Sequence, residues 1–154
     1  MQNDQRADNV YVKKWLNLFD EKPHEAFHKL LLHKVDLGCL NKYFSTYDIY
    51  LIFKDSNIER MVVLDEVLKE WIKTYVLVAN DEFKKLRPRK IGDTISNVLW
   101  LIKRLKLEGA ADFADNNFIA IRDKVVEIDR ECGIIYTPEY ADKTLGCLIE
   151  RNRH

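Results

Sequence analysis

Apolar side chains along this chain recur at three- and four-residue intervals, the period of helices with one buried face, and almost nowhere alternate as strands require. Asp8 is placed to cap a first helix over residues 9–20, in which Val12, Trp15, Leu16 and Phe19 share one stripe, behind a flexible tail of residues 1–8. Pro23 suits the first turn of a second helix reaching about Lys34, with Phe27, Leu30 and Leu31 inward and Gly38 closing the unit. The stretch STYDIYLIFKD is ambiguous. Its aromatics and isoleucines fit a strand, whereas Ser45 with Asp48 three residues on fits the cap of a short helix. Helix is preferred there, because no neighbouring stretch reads as a pairing strand.

Asn57 caps the clearest helix, NIERMVVLDEVLKEWIKTYVLVA. Met61, Leu64, Leu68, Trp71, Ile72, Tyr75 and Ala79 fall on one broad half of it, with Glu59, Glu66, Lys69, Glu70 and Lys73 opposite, the pattern of a central bundle helix. Beyond the charged loop NDEFKKLRPRK, a helix from Asp93 to Leu107 turns Ile95, Val98, Leu99, Leu101, Ile102 and Leu105 inward, with Gly109 as its terminator. A further helix from Asp112 to Cys132 buries Ile121, Val125, Ile128 and Cys132 and stops at Gly133. Thr137, Pro138 and Glu139 then read as the cap, first residue and acidic first turn of a last helix. The expected fold is all-α, a compact single-domain helical bundle of six or seven helices over residues 1–154.

Composition agrees with this. Five glycines and three prolines in 154 residues are too few for the many turns of an all-β chain. A 47% apolar and 32% charged content is that of a globular domain, not a disordered one. The polar start MQNDQRADN has no apolar core of a signal peptide, and the longest strongly apolar run, VLWLI, is far short of a membrane span. Cys39, Cys132 and Cys147 are odd in number and widely spaced, which suits neither a disulfide framework nor a cysteine-rich zinc site. These features point to a cytoplasmic protein away from membranes, with the nucleus as the alternative because KKLR resembles an import signal.

Two stretches carry candidate chemistry. HEAFH, from His24 to His28, matches the H-E-x-x-H pattern in which two imidazoles one helical turn apart grip zinc and the glutamate, here Glu25, acts as general base. A zinc hydrolase needs a third ligand as well. His33 projects roughly 140–180° away from the pair, and Leu31 and Lys34 stand where the extended motif requires glycine and histidine. Enzymes carrying the motif also have a sheet before the metal helix, and here only 23 helix-like residues precede His24. Two histidines flanking a core stripe is the better account, so no metal, cofactor or catalytic residue is expected. Nucleotide-binding loops and nucleophile elbows are likewise missing from the sequence.

The second stretch is a basic band. The formal net charge is zero, yet residues 84–106 hold 8 Lys/Arg against 1 Asp/Glu, between acidic flanks on either side. Lys84, Lys85, Arg87, Arg89 and Lys90 cluster around Pro88, and in the helix that follows Trp100 lies about 150–180° from the inward stripe, beside Lys103 and Arg104. An aromatic among cations is a composition that binds, although a tryptophan covered on both sides in a bundle would be plain core. The functional expectation is a small non-enzymatic interaction or regulatory module, of the accessory kind met in viruses, phages and bacteria, docking an acidic protein surface through these eight residues. A nucleic-acid binder using the same band is the alternative, and the acidic flanks also allow pairing between copies of the chain.

Overall fold

The computed structural model describes residues 2–31, 45–78, 91–131, 133–135 and 139. They form seven α-helices and no strand: α1 (Gln2–Glu21), α2 (Pro23–Leu31), α3 (Thr46–Phe53), α4 (Ile58–Ile72), α5 (Ile91–Arg104), α6 (Glu108–Asn116) and α7 (Phe118–Glu131). A π-helical turn, Lys73–Leu77, continues α4. Contacts divide the chain into two compact units, residues 1–67 and 68–154.

In the first unit, α1 begins at Gln2, so the segment expected as a tail has helical backbone and Asp8 is an interior residue, not a cap. The helix breaks at Lys22, and Pro23, which has no N–H to leave unsatisfied, starts α2 as expected. Trp15 and Phe19 of α1 meet Phe53 of α3, the three ring centroids lying 5.1–5.4 Å apart, and all three side chains are fully buried. Phe27, Leu30 and Leu31 of α2 are buried too, with Ala26 beside them. Val12 and Leu16, expected on the same stripe as Trp15, are only half-buried. The ambiguous stretch is a helix for a local reason. Ser45 Oγ accepts the Asp48 N–H at 3.2 Å while the Asp48 carboxylate accepts the Ser45 N–H at 2.9 Å, a reciprocal cap that no strand would use. Asn57 Oδ1 likewise accepts the Arg60 N–H at 2.8 Å at the start of α4.

The second unit holds the end of α4, its π turn and α5 to α7. Leu68, Trp71 and Ile72 are buried as the helical period requires. The π turn, in which the Val78 N–H reaches the Lys73 carbonyl at 2.8 Å, inserts one extra residue and shifts the phase. Val76 takes the fully buried slot expected for Tyr75, which is half-buried against Trp71 with ring centroids 5.3 Å apart. Every inward residue expected of α5 is buried.

Three boundaries differ from expectation. First, α5 starts at Ile91, because both oxygens of the fully buried Asp129 on α7 accept its leading N–H groups, Ile91 at 2.9 Å and Gly92 at 3.0 Å. Second, α5 ends at Arg104 without help from Gly109, which lies inside α6. Lys106 adopts the left-handed conformation, φ 55°, and the Lys106 and Leu107 N–H groups close on the carbonyls of Lys103 and Ile102. Third, the helix expected over 112–132 is two helices joined at Asn117, whose backbone and side-chain N–H groups both bond to the Phe113 carbonyl, at 3.1 and 2.8 Å. Gly133, φ 87°, stops α7 as expected, with its N–H on the Arg130 carbonyl. The expected last helix, apart from Glu139, lies outside the described residues, as do Cys39, Cys132 and Cys147.

Candidate interaction surfaces

The H-E-x-x-H segment falls on α2 as its spacing demands. His24 is exposed and His28 half-buried. Glu25 is drawn into surface ion pairs, 3.3 Å from Lys29 and 3.9 Å from Lys22, so the carboxylate that would act as base is shared by two ammonium groups. Among the described residues, no three His, Cys, Asp or Glu side chains converge closely enough to hold a metal ion. Catalytic zinc sites use a third protein ligand beside such a pair of imidazoles.

Of the eight residues in the expected docking surface, Trp100, Lys103 and Arg104 are described, while Lys84, Lys85, Arg87, Arg89 and Lys90 lie outside the described residues. The three share one face of α5, at i, i+3 and i+4. Trp100 is half-buried while Val98, Leu99, Leu101 and Ile102 around it are fully buried, so the indole belongs to the outer side of the helix and not to the core. The Arg104 guanidinium lies over the indole, 5.3 Å from the ring centroid. A cation on the ring face is attractive by about 0.5–1 kcal/mol where water is present, and it holds both groups in register. Arg104 is exposed and Lys103 half-buried at the helix C-terminus, where positive charge also complements the helix dipole.

A second surface was not anticipated. On the first turns of α4, within the first unit, Ile58, Val62 and Val63 are 79%, 60% and 40% exposed, and the acids Glu59 and Glu66 lie exposed among them. A helical wheel already placed these aliphatics beside Glu59 and Glu66, but assigning the whole outer half to charge hid them. Beside them is a groove of about 250 Å³ lined by Asp20, Pro23, Asn57, Glu59, Arg60 and Val63. Its floor is fixed by a two-pronged ion pair: Arg60 Nε donates to Asp20 Oδ1 at 2.9 Å and Nη2 to Oδ2 at 2.6 Å, tying α4 to the end of α1. Those hydrogen bonds from Arg60 hold the Asp20 carboxyl below the usual carboxylate range, against an opposing push from burial.

Compared with known proteins, the chain matches no family model, no curated protein and no solved structure. Among the described residues, no helix is long and apolar enough to cross a membrane.

Proposed function

We propose that this chain is a non-enzymatic interaction module that docks on a macromolecular partner through the basic, tryptophan-bearing face of α5. One observation carries the proposal. Trp100 is only half-buried on the side of α5 away from the fully buried Val98, Leu99, Leu101 and Ile102, with a guanidinium laid on its ring. A large aromatic kept partly in water supplies apolar area for an interface core, and Lys103 and Arg104 beside it supply charge for steering. The five cations of residues 84–90 lie immediately before this helix in sequence and extend the same charge. An acidic protein surface is the partner of matching chemistry.

Trp100→Ala tests the proposal. Binding to a partner captured from the native host should weaken by roughly 2 kcal/mol, the loss typical of an interface hot spot. The melting temperature should stay close to wild type, because a core tryptophan would cost about 3–5 kcal/mol of folding free energy and Trp100 is not core. A melt far below wild type sinks the proposal before any partner is known. Retention on labelled RNA or DNA that falls steeply with salt would reassign the partner to nucleic acid.

A further inference from the structure

The chain carries the complement of its own proposed docking face. Ile58, Val62 and Val63 form an aliphatic stripe that is costly to leave in water, next to a groove with an apolar wall of Pro23 and Val63. Asp20 and Arg60 pair within that groove, Glu59 lines its rim, and Glu66 is exposed two turns along the same face. The α5 face offers the reverse set: one half-buried indole with Lys103 and Arg104 beside it.

Resting on the proposed role of the Trp100 face, we infer that its partner is a second copy of this chain, joined head to tail, the indole of one copy seating against the Ile58–Val62–Val63 stripe and groove of the next. Two arguments select this occupant. Pairing the stripe with itself across a two-fold axis would bring Glu59 and Glu66 toward their own counterparts, and pairing the α5 face with itself would oppose Lys103 and Arg104 in the same way; like charges facing each other disfavour both. Pairing one face with the other sets cations against acids and an aromatic anchor against a pocket, the combination that makes a hot spot. A contact of this kind uses different surfaces on the two copies, so it builds rings or open chains, not a symmetric dimer.

Sedimentation and light scattering on the full chain test this directly. Wild type should self-associate with rising concentration, and more weakly as salt is raised. Val62→Arg removes the stripe, and Lys103→Glu with Arg104→Glu reverses the opposing face. Both sets of positions lie outside the core, so both variants should stay folded, the double reversal melting modestly lower because it puts acid at the α5 C-terminus, and each alone should weaken self-association at least tenfold. Mixed in equal amounts, the two should form a complex of two chains and no larger species, since each retains the face the other has lost. A wild-type chain that stays monomeric at low salt and high concentration overturns the inference. So does an association abolished by Val62→Arg but untouched by the charge reversal, which would mean stripe-on-stripe pairing. If wild type is monomeric yet the charge reversal releases a partner captured from the host, self-association falls and the Trp100 face stands as a docking surface.

Discussion

Asp129 shows how one residue can decide where an element begins. Its carboxylate is fully buried on α7 and accepts the first two N–H groups of α5, donors that an isolated helix would leave to water. It also places negative charge at the positive end of the helix dipole. Asp129→Ala should therefore cost roughly 2–4 kcal/mol, from one buried and one part-buried donor left without this acceptor. Asp129→Asn should cost less, since one oxygen can still serve one donor. Urea unfolding measures both, and an alanine variant within about 0.5 kcal/mol of wild type would refute the capping role. Nothing near Asp129 in sequence announces this, because its partners lie 37 and 38 positions away. Ser45 is the contrast. Its cap is completed three residues on by Asp48 and was legible in the sequence. Lys106 is a third case, a lysine holding a left-handed conformation that glycine adopts more cheaply, so a search for glycine placed the stop at Gly109.

At the scale of elements, the Asp20–Arg60 pair is the polar tie between α1 and α4. A carboxyl held below its ordinary range stabilises the fold at pH above its unfolded-state value, near 4, and the contribution disappears as pH falls through the lower folded-state value. The Asp20 side chain is 46% exposed, so screening keeps the worth of the pair under about 1 kcal/mol at neutral pH. Asp20→Asn should lower stability by that small amount near neutrality and by less in acid, where the wild-type carboxylate is itself protonated. Denaturant midpoints for both chains across the acid range check it, and a deficit that stays constant below about pH 4 would refute it. Elements also show where helical periodicity stops being a guide. The π turn moves Val76 into the slot a continuous α-helix would give Tyr75, and Asn117 divides one apparent helix into two. Both are single-residue events in backbone hydrogen bonding, and the apolar pattern changes little across either.

For the whole molecule, charge governs behaviour more than fold does. A chain with zero formal net charge at pH 7 has no net repulsion between copies, and its basic band and acidic flanks attract when screening is weak. Static light scattering should show attraction between molecules that is strongest near neutral pH at low ionic strength and fades as salt is added. No salt-dependent attraction under those conditions would show that the two charge sets are neutralised within each molecule. The wheel angle of Trp100 puts it off the inward stripe, and in the structure the indole is half-buried with Arg104 over its ring.

The helical class, most inward positions and the local caps at Ser45 and Asn57 follow from the chain alone, because a 3.6-residue period and a cap three residues long are complete within one or two turns. The start of α5, the pairing of Asp20 with Arg60 and the exposure of Ile58, Val62 and Val63 came only with tertiary structure. Each depends on which side chain lies across a gap of dozens of residues, or on no neighbour arriving to cover an apolar face. A helical wheel gives the direction in which a side chain leaves its helix, and packing between helices decides whether that direction leads to core, to a partner or to water.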